Sequence, residues 1–284
     1  MSTEGSSIYG VIGDPVEHSL SPPMHNAAFK KLGLKCIYLP FRVTRRYLKS
    51  AMIGMRALNI RGFNVTTPHK TAVVEFLDEL DEVAQEVGAV NTILNDEGRL
   101  IGYNTDGLGV MRALEEQRED PSDKSIVLIG AGGAGRAIAF TLARRANSIF
   151  ILNRTQHRAV KLAKDVEQRL GKKISARSLT RNSLLEALRD ADILINATSV
   201  GMYPRTEQTV AARKVLHSGM VVFDIVYNPL KTQLLSEAEA AGAKTIAGVD
   251  MLIHQGAEAF KIWTGHSPPV EVMRRAVMKR LSER

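Results

Sequence analysis

Along almost the whole chain, short apolar stretches rich in β-branched residues alternate with stretches whose apolar positions recur at helical spacing. A strand covered on both faces reads as a short apolar run and an amphipathic helix as a period of 3.6. The alternation therefore predicts βα units building mainly parallel sheets. In the first third it predicts strands over 8–12, 36–41 and 61–65, helices over 22–32 and 45–57, a turn over 66–69 and helical structure over 70–86. A hairpin of 90–95 with 99–103 is expected about Glu97 and Gly98. A helix over 107–116 then runs into the polar segment 119–124, and the pattern restarts with strand 125–129, helix 134–145, strand 148–153 and helix 156–170. Strands follow near 193–196, 221–225 and 243–246, and helices over 251–263 and 270–281 are expected to return to the first domain.

At 284 residues the chain exceeds the usual size of one core. Two domains are expected, 1–106 with 248–284, and 107–247. Thirty-eight basic against 30 acidic residues leave a formal charge of +8, a field that attracts phosphate, carboxylate or nucleic acid without choosing among them. Cys36 is the single cysteine, which excludes a disulfide within the chain and a cysteine metal cluster. No metal site is expected, and a reducing cytoplasm is the natural setting. Residues 1–7 are polar, include Glu4 and lack the basic start and apolar stretch of a secretory signal. The apolar runs are too short to span a bilayer, so a soluble protein without membrane partners is expected.

Gly130, Gly132 and Gly135, with Ala131, Gly133 and Ala134 between them, form a Gly-x-Gly-x-x-Gly turn from apolar strand to helix. Glycine there lets the backbone approach a pyrophosphate while the helix N-terminus favours its charge. A merely tight strand-to-helix turn has the same spacing, and the βαβ setting favours the nucleotide. An NAD site places Asp or Glu at the end of the next strand, about 20 residues on. Here that strand ends Asn153-Arg154-Thr155, with Arg158 one turn further. Guanidinium donors suit a 2'-phosphate, so NADP is expected over NAD, the plain alternative being two arginines on a solvated helix start.

Three polar clusters fall at predicted strand ends in the first domain: Asn64 to Lys70, Asn91-Thr92, and Asn104-Thr105-Asp106-Gly107. Hydroxyls and amides offer the donors and acceptors that hold a small polyhydroxylated molecule. The same residues make turns and helix caps, Asp106 included, and one cluster alone does not separate the two roles.

Taken together, Gly13-Asp14-Pro15, His18 to Pro22, Asn64 to Lys70, Gly88 to Thr92 and Gly102 to Gly107 resemble the shikimate dehydrogenase family. The resemblance continues in order through Gly130 to Gly135, Asn153 to Thr155, Asn196 to Met202, Asp224 to Thr232 and Gly248 to Gln255, nearly the whole chain. It implies an α/β protein with an N-terminal substrate-binding domain and a Rossmann-type NADP-binding domain. The activity implied is reversible NADPH-dependent reduction of 3-dehydroshikimate to shikimate, the fourth step toward chorismate and the aromatic amino acids. Lys70 and Asp106 match the family's catalytic pair. Ser19 and Ser21 match its substrate-carboxylate contacts, and Asn64, Thr66, Asn91 and Gln255 its ring-hydroxyl contacts, with Tyr227 nearby. Arg154, Thr155 and Arg158 match the 2'-phosphate clamp, and Thr198 and Gly248 complete the implied cofactor site. Relatives that use quinate share this skeleton, and the paired serines lean toward shikimate.

Oxidising an alcohol with a nicotinamide removes a hydride from carbon and a proton from oxygen. Lysine holds its proton at neutral pH and a neighbouring carboxylate favours that charge, so Lys70 is expected to donate to the ketone during reduction. His69, His18 and His25 are expected to pack or orient the substrate loop, with His69 the reserve proton carrier. A basic nucleotide- or nucleic-acid-binding protein is the non-enzyme alternative, motivated by Arg274, Arg275, Lys279 and Arg280, which better fit a solvated helix end. The expected partner is a small molecule and not a nucleic acid, and a homodimer is compatible with the sequence. A hinge between the domains is expected, because products must leave.

Overall fold

The computed structural model describes residues 6–283. Residues 1–5, most of the polar start read above, lie outside the described residues, as does Arg284. The chain forms two compact units, one of Met1–Thr105 with Ile253–Arg284 and one of Asp106–Leu252. The crossings thus fall after Thr105 and after Leu252, against expected boundaries after 106 and 247. Among the described residues no helix is long and apolar enough to cross a membrane.

The first unit is built on a six-stranded mixed sheet of β1 (Ser7–Gly13), β2 (Cys36–Arg42), β3 (Gly62–Val65), β4 (Glu79–Leu80), β5 (Thr92–Asp96) and β6 (Arg99–Tyr103). Its order is β2-β1-β3-β5-β6-β4. β1 runs parallel to β2 and β3, β5 runs antiparallel to both β3 and β6, and the edge strand β4 pairs in parallel with β6, so β5 is the one reversed strand of the sheet. Ile12, Phe63, Val65, Ile93 and Leu100 of the sheet form a core with Leu48, Met52 and Met55 of α2 (Leu48–Ala57), whose spacing makes one helical stripe. α1 (Ser21–Lys31) and the closing helix α10 (Val270–Ser282) belong to this unit. α9 (Gly248–Thr264) is tied to the sheet where Trp263 Nε1 donates to the Ile93 carbonyl at 2.9 Å.

The helical segments expected over 70–86 are present but separated by a short strand. A 3₁₀ turn at Val73–Phe76 gives way to the short strand β4, and only Glu82–Val87 forms an α-helix, α3. The aspartates explain the breaks. Asp78 Oδ2 accepts from Leu100 N–H at 2.7 Å and pairs with Arg56, which draws this stretch onto the sheet edge. Asp81 accepts from Ala84 N–H at 2.8 Å and so starts a new helix.

In the second unit six strands, β7 (Ser125–Ile129), β8 (Ser148–Asn153), β9 (Ser175–Ser178), β10 (Ile193–Asn196), β11 (Val221–Asp224) and β12 (Lys244–Ala247), form an all-parallel sheet. The order is β12-β11-β10-β7-β8-β9, the doubly wound arrangement whose direction of winding reverses between its first and fourth strands, β7 and β10. α4 (Asp106–Glu116), α5 (Gly133–Ala143), α6 (Gln156–Leu170), α7 (Arg181–Leu188) and α8 (Gln233–Ala240) complete the unit.

Candidate active site

In the first unit the polar residues collect at one end of the sheet, the carboxyl ends of β3 and β6 and the amino end of the antiparallel β5, where backbone pairing ends and side chains take over the hydrogen bonds. Asn64 is the third residue of β3, Asn91 precedes β5, and Thr105 follows β6. All three are buried, at 6%, 2% and 3% exposure. Burial of this kind requires that every donor and acceptor be matched. Asn91 Oδ1 accepts from the Thr105 N–H at 2.8 Å, and its Nδ2 donates to Thr105 Oγ1 at 2.9 Å and to Gln255 Oε1 at 3.2 Å. Thr105 Oγ1 in turn donates to the Gln255 carbonyl at 3.0 Å, so α9 is docked onto the strand ends at its Gln255 turn.

Lys70 is half-buried and follows the turn that closes β3. Its carbonyl accepts from Val90 N–H at 2.7 Å, which binds the turn to the segment leading into Asn91. Thr66 is held by its N–H to the Ile12 carbonyl at 2.9 Å. His69 is fully buried and its Nε2 lies 2.6 Å from the Val43 carbonyl, so that nitrogen carries the hydrogen and the ring is an anchor for the turn. The reserve role of proton carrier given to His69 above is therefore withdrawn. His25 is also fully buried, stacked on Tyr38 at 4.5 Å and 11°, and burial pushes its imidazole down to about 3, so it is neutral packing.

Ser19 and Ser21 lie at the start of α1. Ser19 Oγ accepts from Ser21 N–H at 3.2 Å, and the helix has no side-chain cap at Leu20, with Pro at its N1/N2 positions. Two hydroxyls beside the positive end of a helix are donors of the kind a carboxylate can use. Asp106, 3% exposed, is the first residue of α4 and belongs to the second unit, not to the first as expected.

The second unit presents a different kind of site. Gly130 has φ +111°, in the region that L side chains avoid, and a Cβ on it would stand 2.8 Å from the Ala197 carbonyl. A Cβ on Gly135 would collide with the Gly130 carbonyl, so α5 packs against the loop by glycine alone. At Gly132, the N-cap, space is open and no side chain caps the helix, which leaves the first-turn amides of Gly133, Ala134 and Gly135 directed outward. This is the arrangement an anionic phosphate requires.

The next strand end supplies the other part. Asn153 braces the loop, its Oδ1 accepting from Ala131 N–H at 3.2 Å and its Nδ2 donating to the Thr155 carbonyl at 2.9 Å. Arg154 and Arg158 are exposed, and neither guanidinium meets a carboxylate among the described residues. No acid stands where an NAD site needs one, so the residues fit a 2'-phosphate. Thr198, after β10, donates its hydroxyl to Asn196 Oδ1 at 2.7 Å. Gly248 opens α9 pressed against the Ile225 carbonyl. Tyr227 is half-buried in the turn after β11.

Sequence reasoning assigned no role to Asp224 or Asn196, which hold these loops. Asp224 is fully buried and accepts from Thr232 Oγ1 at 2.7 Å, Asn196 Nδ2 at 2.9 Å and Val226 N–H at 3.1 Å. Burial pushes its carboxyl up to about 6. An acid at the end of an otherwise apolar strand was the available signal. Tyr38 was missed as well, because an aromatic residue in a strand reads as core.

Comparison with known proteins covers both units. The model of the shikimate dehydrogenase substrate binding domain matches residues 11–93, that of shikimate / quinate 5-dehydrogenase residues 112–234, and that of the shikimate 5'-dehydrogenase C-terminal domain residues 248–278. The shikimate dehydrogenase (NADP(+)) of Methanosarcina acetivorans is 51% identical over 278 residues, 96% of this chain and 98% of that protein. A crystal structure of shikimate dehydrogenase in complex with NADP+ superposes with a TM-score of 0.91 at 49% identity, over 97% of this chain and 96% of that one. Shikimate 5-dehydrogenase from Thermus thermophilus, solved with NADP(H) and shikimate, gives 0.86 at 37% identity over 96% of this chain and 99% of its own. Family models over each unit and half-identical relatives of matching length leave one conclusion: the chain belongs to the shikimate dehydrogenase family.

Proposed function

We propose that the chain catalyses the reversible reduction of 3-dehydroshikimate to shikimate with NADPH, on the route to chorismate and the aromatic amino acids. The observation that carries this is the 51% identity to an NADP-dependent shikimate dehydrogenase across 96% of the chain. In the reading proposed, the first unit binds the substrate and the second the cofactor.

Ser19 and Ser21 with the start of α1 hold the substrate carboxylate. Asn64, Thr66, Asn91, Gln255 and Tyr227 hold its hydroxyls. Reduction adds a hydride to the carbonyl carbon and a proton to its oxygen, and bound NADPH supplies the hydride. Lys70 gives the proton to that oxygen, and on reversal Lys70 with Asp106 takes it back. The loop Gly130 to Gly135 with Asn153 receives the pyrophosphate, Arg154, Thr155 and Arg158 hold the 2'-phosphate, and Thr198 and Gly248 border the cofactor. A cytoplasmic homodimer is part of the proposal, read by cell fractionation and by light scattering.

Following nicotinamide absorbance with shikimate or quinate, and NADP or NAD, tests the assignment. Rapid turnover is expected for shikimate with NADP, and slower turnover for the other combinations. Absence of shikimate oxidation with either cofactor overturns it.

A further inference from the structure

The amide of Asn64 has no choice of orientation. Its Nδ2 lies 3.2 Å from the backbone carbonyl of Asn91, a group that only accepts. The second Nδ2 neighbour, Thr92 Oγ1 at 3.1 Å, already sends its own hydrogen to Asn91 Oδ1 at 3.1 Å and so must accept as well. Asn91 Oδ1 is itself identified as oxygen by the Thr105 N–H that it receives. The assignment thus rests on two backbone groups whose polarity cannot change. Both hydrogens of Asn64 Nδ2 are engaged, and Oδ1 points to the Tyr38 hydroxyl at 2.7 Å, which therefore donates.

Tyr38 is built to keep that hydroxyl in place. It is fully buried in β2, and its ring stacks on His25. Its N–H donates to Asn26 Oδ1 at 2.8 Å and its carbonyl accepts from Asn26 Nδ2 at 2.9 Å. With the amide oriented this way, the atom of Asn64 that remains to meet a ligand is an oxygen with one lone pair taken.

We propose that Tyr38 is a positioning residue that acts through Asn64, making this point of the substrate site an acceptor that selects a ligand hydroxyl. The inference rests on the substrate reading of Asn64 given above. It also adds a constraint to that reading. The reacting oxygen of the substrate is a ketone in one direction and can then only accept, so Asn64 faces a hydroxyl that stays a hydroxyl throughout the reaction.

Tyr38→Phe removes the oxygen and keeps the stacked ring. The expected result is a rise in KM for shikimate of about five- to tenfold, with KM for NADP and the thermal midpoint close to wild type. In an Asn64→Ala background the same change is expected to add nothing, since the residue through which Tyr38 acts is gone. An unchanged shikimate KM, an equal penalty in both backgrounds, or a parallel rise for NADP overturns the proposal. Thr92→Val, which removes the other side-chain anchor of Asn64, is expected to raise shikimate KM in the same selective way and serves if Tyr38→Phe fails to fold. A ligand-free readout separates this inference from the assigned reaction. Side-chain amide hydrogens of Asn64 are expected to exchange slowly in the wild type and faster in Tyr38→Phe, and equal rates overturn the positioning role even if shikimate proves not to be the substrate.

Discussion

Each unit places its candidate site at one end of its sheet, and the two make them from opposite materials. In the first unit the site consists of side chains: Tyr38, Asn64, Thr92, Asn91, Thr105 and Gln255 form one chain of hydrogen bonds. In the second it is largely backbone, with glycines that remove side chains and a helix start that directs N–H groups outward. The difference follows from what each is proposed to hold. A pyrophosphate is recognised by charge and needs close approach. A polyhydroxylated ring has to be distinguished hydroxyl by hydroxyl, which requires groups of fixed donor and acceptor sense.

The largest effect that separates the two sites is expected at Lys70. Lys70→Ala should slow single-turnover hydride transfer by about 10²–10⁴-fold while calorimetric NADP affinity stays at the wild-type value. Loss of NADP binding in that variant would show that the two sites are not independent. Next come two glycines of one loop with different neighbours. Gly135→Ala drives a Cβ into the Gly130 carbonyl and is expected to cost ~1–3 kcal/mol in denaturant unfolding. Gly132→Ala meets open space, so its stability should be unchanged and only KM for NADP should rise. Equal stability losses would mean that Gly132 is a packing residue. Arg154→Ala is expected to weaken NADP by roughly tenfold and leave NAD affinity unaltered.

The remaining effect is one of pH, with opposite signs in the two units. His25 is held near 3 by burial, so its contribution to stability is complete above 6.5 and is lost as pH falls from there. Asp224 is raised to about 6, so its contribution is complete below 3.8 and is lost as pH rises through 6. Each gives a slope of at most about 1.4 kcal/mol per pH unit. Thermal midpoints of His25→Phe and Asp224→Asn across pH 4–8 should each lose one of these slopes. A variant that parallels wild type throughout refutes the corresponding titration.

The same contrast decides how much was legible in the sequence. A backbone site imprints itself on spacing, because only glycine satisfies Gly130 and Gly135, and the turn to helix α5 was readable from one short stretch. The side-chain site has no such imprint. Asn91 and Gln255 are hydrogen-bonded across 164 residues, and no period joins them. Resemblance to a family brought the two together, and the fold shows how their polarity is set. Tyr38 stayed hidden because burial and hydrogen bonding leave the same residue type in a strand. Over 70–86 the helical segments were legible but the strand between them was not, since Asp78 and Asp81 set it through partners that spacing does not show. β9, α7 and α8 were not anticipated, β9 being a polar edge strand with no buried residue among its four.

The second unit is a continuous insertion, Asp106–Leu252, within the first. During synthesis from the N-terminus, all of its strands are available before Gln255 and Trp263 exist, and domains generally fold as units while the chain emerges. Until those two residues arrive, Asn91 lacks one of its acceptors and the Ile93 carbonyl lacks its indole. The nucleotide half can therefore mature on the ribosome ahead of the half that precedes it, and chains released early would carry an intact glycine loop without a finished pocket for the ring.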